Sequence, residues 1–157
     1  MNGFTRGRGN VVLFSNIGTP AIPSRKVWSE PLVWRMARGG RAVCLDPLPL
    51  AVAVAGCVWR EVALNALDAD GRAYRIAYSS DAPAGQAAAV RADLAIAALP
   101  ASMSDEDLLP VPASAALPEL PETQVRVAHD DGNLAATLAA VAHEVALRRA
   151  SRHSPGG

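Results

Sequence analysis

The stretch "AGCVWREVALNALDADGRAYRIAYSS", Ala55 to Ser80, decides the fold. Its first part reads as a helix over Cys57 to Leu67. Val58, Val62 and Ala66 recur on one face and Ala63 and Leu67 on the adjoining strip, the spacing of an amphipathic helix. Gly71 then follows Asp68-Ala69-Asp70 and can take the positive φ that ends such a helix. Arg72 to Tyr78 alternates, with Tyr74, Ile76 and Tyr78 on one side and Ala73, Arg75 and Ala77 on the other, which is the period of a strand. The stretch closes on Ser79-Ser80. Pro83 suits the first turn of a second helix, capped by Ser80 or Asp81 and running to about Ala92.

Apolar runs flank this unit on both sides. "LPLAVAV" (Leu48–Val54) and "LAIAAL" (Leu94–Leu99) read as buried strands. Strands separated by helices in this way predict parallel βαβ units, so the class is α/β, with a mostly parallel sheet and flanking helices. Further out, "NVVLF" (Asn10–Phe14) reads as another buried strand, and a strand is expected around Leu32 to Met36. "ARGGRAV" reads as a turn, and "QVRVA" (Gln124–Ala128) as a last strand. Residues 100–121 are rich in Pro, Ser and acid, and read as a surface connection holding at most a helical turn. Asn133 to Arg149 gives the strongest helical pattern. Leu134, Leu138, Val141 and Val145 share one face, Asp131 is the cap, and Arg148 and Arg149 suit the C-terminal dipole. Residues 1–9 and 150–157 have the composition of disordered ends.

Composition narrows the function. The chain has 157 residues, half of them apolar, but only 4% aromatic, so the core is built from Ala, Val and Leu. Lys+Arg and Asp+Glu number 15 each, a balance without the basic footprint of nucleic-acid binding. The longest apolar stretch, Leu48 to Trp59, is broken by Pro49 and Gly56 and falls short of the ~20 residues that span a bilayer. Two cysteines, Cys44 and Cys57, are too few for a disulfide framework, which points to a reduced, cytoplasmic setting without a membrane partner.

Chemical motifs are few. "DADG" (Asp68–Gly71) lacks the further oxygen ligands and closing Glu of a calcium loop. His129, His143 and His153 have no metal-ligand spacing, and no glycine-rich loop follows a strand, so neither metal nor cofactor is expected. Cys57 at a helix mouth could be a nucleophile, but no base accompanies it, and free Cys packs as a small hydrophobe. Ser79 and Ser80 lack the G-x-S-x-G elbow of a hydrolase. In a parallel sheet, however, Gly56-Cys57 and Ser79-Ser80 open onto one edge, where two helix N-termini offer unpaired N–H groups. Such a mouth favours a carboxylate or other small anion.

Five blocks then fall into a familiar order. "EPLVW" (Glu30–Trp34), "LPLAV" (Leu48–Val52), "GCVWREVALNALDADGRAYRIAYSS" (Gly56–Ser80), "AGQAAAVRADLAIAALPAS" (Ala84–Ser102) and "LPELP" (Leu117–Pro121) together resemble the second half of the effector-binding domain of LysR-type transcriptional regulators. The resemblance implies a periplasmic-binding-protein type 2 fold. Residues 35–120 would form the second lobe, and residues 10–34 and 121–149 remnants of the first. It implies effector contacts at Gly56, Cys57, Tyr78, Ser79 and Ser80, with pairing to a second copy or to an intact homologue. The family's DNA-binding part and the opening of its first lobe have no counterpart here, so a truncated chain that does not itself bind DNA is expected. Asn10 stands where the family has Asp. Asp93 stands where it has Gly, at a position that often needs positive φ, which Asp adopts at some cost. The expected function is sensing of a small anion, with no catalysis. The alternatives are a Cys57- or Ser80-dependent enzyme, or a fragment acting only through association.

Overall fold

The computed structural model describes residues 11–129, 136–138, 140–142 and 144–145. The expectations for Asn10, Asp131, Asn133, Leu134, His143, Arg148, Arg149, His153 and the two chain ends lie outside the described residues, as does the side chain of His129. The chain divides into two compact units: Met1–Ser29 with Gln124–Gly157, and the continuous segment Glu30–Thr123. In chain order the elements are β1 (Val11–Asn16), β2 (Arg25–Ala37), β3 (Leu48–Val52), α1 (Val58–Ala69), β4 (Tyr74–Ser79), α2 (Pro83–Arg91), β5 (Ala97–Pro100), β6 (Leu108–Pro110) and β7 (Glu122–His129). β2 and β7 carry the chain between the units, at Ser29–Glu30 and Thr123–Gln124.

In the first unit β1 pairs antiparallel with β7, Val11 opposite His129 and Asn16 opposite Gln124. Val27 and Val127 are buried together, with Val11, Trp28 and Ala142 packed against them. The Arg126 guanidinium donates to the Ser24 hydroxyl and carbonyl and to Gln124 Oε1. One expectation is corrected here. β1 is not a buried strand: Leu13 is half-exposed and no β1 residue is fully buried. An edge strand lends only one face to a core, so a continuous apolar run need not be buried. Residues 136–138, 140–142 and 144–145 are helical, but Leu138, Val141 and Val145 are half-exposed, and the inward contact is made by Ala142.

The second unit contains the β3–α1–β4–α2–β5 succession. β3 and β4 run parallel, Leu48 opposite Tyr74 and Val52 opposite Ser79, with a bulge between Leu50 and Ala51. A parallel bridge joins Leu50 to Ile96, just before β5. Every residue of β3 is buried, as a strand covered on both faces requires. β5 and β6 pair antiparallel with β2, Leu32 opposite Pro100 and Arg35 opposite Pro110. Leu48, Leu50, Leu67, Val90, Ile96, Leu99 and Leu108 are the large side chains of this core. Both helices end on the same device. After α1 the Gly71 N–H donates to Asp68 O and the Arg72 N–H to Leu67 O, with Gly71 at φ +69°. After α2 the Asp93 N–H donates to Val90 O and the Leu94 N–H to Ala89 O, with Asp93 at φ +54°. These are Schellman ends, in which one left-handed residue satisfies the last carbonyls of the helix.

Candidate functional site

The parallel register fixes the geometry of the two helix mouths. Val52 ends β3 opposite Ser79, and the Ser80 N–H donates to Val52 O at 3.1 Å. The β3–α1 turn and the β4–α2 turn therefore leave the same edge of the β3–β4 pair. In the first turn Gly56 takes φ +84° with open space where a Cβ would stand. The Cys57 N–H donates to Val54 O, and Cys57 then serves as N-cap of α1 with its carbonyl accepting from Glu61 N–H. Its thiol makes no capping hydrogen bond and is partly exposed.

The second turn departs from the expected cap. Neither Ser80 nor Asp81 is the N-cap of α2; Ala82 is, in extended conformation and with no side-chain cap bond. Pro83 occupies the first helical turn, and a proline there pushes the residue before it out of helical geometry, so the cap falls on Ala82. Ser80 Oγ accepts instead from the Ala82 N–H at 3.2 Å. Gly85 lies directly beneath: a Cβ built on it would stand 2.5 Å from Ser80 Oγ and 3.4 Å from the Tyr78 hydroxyl. Tyr78 and Ser80 thus reach the first turn of α2, while Tyr78 stays 40% exposed.

Two residues that the sequence pattern did not single out join this edge. Arg60, in the first turn of α1, folds back so that its Nη1 donates to Ala53 O at 2.8 Å. Gln86 of α2 is buried, and its Nε2 faces Ser80 O at 3.4 Å. Both line a void of about 10 Å³, with Trp34, Trp59, Val52 and Ala53, and none of Gly56, Cys57, Tyr78, Ser79 and Ser80 lines it. Periodicity could not flag them, because each sits at a helix position where a polar residue reads as solvated. A larger open cavity of about 280 Å³ lies against Leu32, Trp34, Val111, Pro112 and Leu117, and no residue of either turn lines it. Among the described residues no group of three His, Cys, Asp or Glu could hold a metal ion, and no helix is long and apolar enough to cross a membrane.

Three solved structures share this architecture across nine-tenths or more of the chain. Full-length HypT from Salmonella typhimurium, a hypochlorite-specific LysR-type transcriptional regulator, matches with TM-score 0.69 at 12% identity, over 94% of this chain and 55% of that one. The CcmR regulatory domain of Synechocystis PCC6803, in complex with 2-PG, matches with TM-score 0.68 at 13% identity, over 92% and 77%. Vibrio fischeri DarR in complex with DNA matches with TM-score 0.67 at 11% identity, over 90% and 53%. The fold is that of LysR-type regulatory domains. A curated relative, the HTH-type transcriptional regulator DgdR of Burkholderia cepacia, is 36% identical over 101 residues, 64% of this chain. The chain spans about a third of that relative's length, 34%. No protein-family model matches. Within the LysR-type fold the β3–α1 and β4–α2 turns belong wholly to the second unit, so the candidate site is described by that unit alone.

Proposed function

We propose that this chain is the effector-sensing part of a LysR-type transcriptional regulator and that it binds a small carboxylate or related anion without transforming it. The residues assigned to the ligand are Gly56, Cys57, Tyr78, Ser79 and Ser80. The observation that carries this reading is the Val52–Ser79 register, which opens two helix N-termini on one edge of a parallel strand pair. The N–H groups that open α1, and the partial positive charge at both termini, favour an anion; at α2 Pro83 carries no N–H and the Ala82 N–H is bonded to Ser80 Oγ. The Ser80 hydroxyl is engaged with a backbone N–H, as in a turn, and not with a base. That supports a binding role over a nucleophilic one.

The reading extends to the setting. A regulator of this kind works in the cytoplasm, and its DNA contacts lie outside the residues of this chain. It pairs with a second copy of itself or with an intact homologue. We assign that contact to β4, which among the described residues has β3 as its one strand neighbour and leaves Ile76 44% exposed.

Thermal unfolding with a set of small carboxylates tests the binding reading. A ligand at a hundred times its Kd stabilises the folded state by about 2.7 kcal/mol, which raises the melting temperature of a domain of this size by roughly 5–10 °C. At least one carboxylate should give such a concentration-dependent rise, and its uncharged amide should not. A flat response across the set defeats the proposal. Light scattering tests the pairing, and a monomer at high concentration counts against it.

A further inference from the structure

We infer that the open cavity of about 280 Å³ beside β2 is a second binding site, and that it takes a small protonated amine with an apolar body, held by the Glu119 carboxylate. The site does not rest on the helix mouths, since no residue of either turn lines it. Its walls come from β2 and from residues 111–120, a stretch tied to that strand at three points. The Val111 N–H donates to Trp34 O at 2.9 Å, the Leu32 N–H to Pro121 O at 3.3 Å, and the Trp34 indole N–H to Pro118 O at 2.8 Å. These ties leave the space standing between strand and segment without any ligand to prop it. Small-molecule sites are usually pre-formed in the same way.

Two features of the lining choose the ligand. The first is its hydrogen-bonding balance. Pro112 and Pro118 have no N–H, and the N–H groups of Leu32 and Val111 and of the Trp34 indole are spent on the ties. A carbonyl that accepts one hydrogen bond keeps a second lone pair, so these residues offer acceptors in place of donors. A head group rich in donors fits them. The second feature is charge. Glu119 is exposed and is the one ionisable residue in the lining. The two ion pairs among the described residues, Arg38–Asp107 and Arg91–Asp105, do not involve it. Its carboxylate attracts an ammonium group and repels an anion. Every other lining residue is apolar, so the body behind the ammonium is a hydrocarbon chain or an aromatic ring. At about 280 Å³ the space falls just below the range of about 300–1,000 Å³ usual for ligand pockets, so the ligand is small.

Three molecules of similar shape and different charge test the assignment: benzylamine, a cation at neutral pH, benzyl alcohol, which is uncharged, and benzoate, an anion. The readout is the Trp34 indole signal in nitrogen–proton correlation spectra of the full chain, told from those of Trp28 and Trp59 by its loss in Trp34→Phe. Benzylamine should move that signal and saturate with a Kd of roughly 1–10 mM, the affinity expected of so few atoms. Benzyl alcohol should bind about twofold to fivefold more weakly, the worth of one exposed charge, and benzoate more weakly still. Salt at about 0.5 M should narrow the gap between benzylamine and benzyl alcohol. Glu119→Gln should bring benzylamine down to the level of benzyl alcohol and leave benzyl alcohol unchanged. Ala113→Leu, which puts bulk into the lining, should weaken both. Residues 113 and 119 are exposed, so both variants should melt as the unmodified chain does. A benzylamine preference that survives Glu119→Gln overturns the role of Glu119. Equal binding of the three molecules overturns the ligand class. A Trp34 signal that none of them moves, or movement confined to Trp28 or Trp59, overturns the site.

Discussion

Asp93 shows how one side chain can make an unfavourable backbone position worth occupying. The left-handed conformation that ends α2 costs a non-glycine residue about 1 kcal/mol. In return the Asp93 carboxylate accepts the Arg41 N–H at 2.8 Å and the Ala42 N–H at 3.0 Å, tying the end of α2 to the 3-10 turn at Ala42–Cys44. Hydrogen bonds to a charged acceptor are worth about 1.5–3 kcal/mol each, so the exchange favours Asp. Asp93→Ala keeps the strain and loses both bonds, and should cost about 2–4 kcal/mol in urea unfolding. Asp93→Gly loses the bonds but relieves the strain, and should cost about 1 kcal/mol less. Gly40 completes the fit, since a Cβ there would stand 2.5 Å from Asp93 Oδ1. Gly40→Ala should therefore destabilise the protein by about 1–3 kcal/mol alone, and by clearly less in the Asp93→Gly background. Equal costs in the two backgrounds would show that the clash is not what makes Gly40 necessary. The sequence marks Asp93 as unusual, but it cannot show the acceptor role, because Arg41 and Ala42 lie far from it along the chain.

Elements were legible in proportion to their length and burial. The continuous apolar run of β3, the helical spacing of α1 and the Pro83 signal ahead of α2 each mark an element, and all three elements occur close to where they are expected. β2 runs from Arg25 to Ala37, well beyond the expected Leu32–Met36, because Glu30-Pro31 reads as punctuation. Pro31 nevertheless stands in the middle of the strand, where its carbonyl accepts the Ala101 N–H. β6 and the two 3-10 turns are too short for any period to emerge. The 100–121 connection hides an ion pair that links elements. Arg91, in the last turn of α2, binds Asp105 just ahead of β6. That contact, with the Asp107 N–H, holds the Asp105 carboxyl below its ordinary value. A carboxylate lowered on folding adds stability above its unfolded pKa and loses it as pH falls through the folded one. Stability measured from pH 7 down to pH 3 should therefore drop less steeply in Asp105→Asn than in the unmodified protein. The absolute effect should be small, because both side chains are largely exposed. Parallel pH profiles would remove Asp105 from the acid response.

For the molecule as a whole, the separation into two units makes its own prediction. Glu30–Thr123 is a single run of chain, whereas the other unit is assembled from both ends of the sequence. The second unit also secures its own boundaries. At one end the Glu30 carboxylate accepts the Ser102 N–H and hydroxyl, and the Leu32 N–H donates to Pro121 O. At the other, Thr123 is buried and its hydroxyl accepts the Trp59 indole N–H at 2.9 Å. Its core, from Leu48 and Leu50 on β3 to Leu67 on α1, Val90 on α2 and Leu108 on β6, is drawn wholly from within the segment. A continuous segment with its own core and tied ends meets the physical conditions for independent folding. Residues 30–123 expressed alone should therefore unfold cooperatively, with a urea slope of about 1 kcal/mol/M, as a small domain does. Thr123→Val should cost that segment about 1 kcal/mol, because the partly buried indole N–H loses its acceptor, and Trp59→Phe combined with it should cost less than the two changes summed. The same segment carries both helix mouths, so a carboxylate that raises the melting temperature of the full chain should also raise that of the segment. Cooperative unfolding without that rise would mean that the site draws on residues beyond the segment. A broad, non-cooperative melt would mean that the units fold only together.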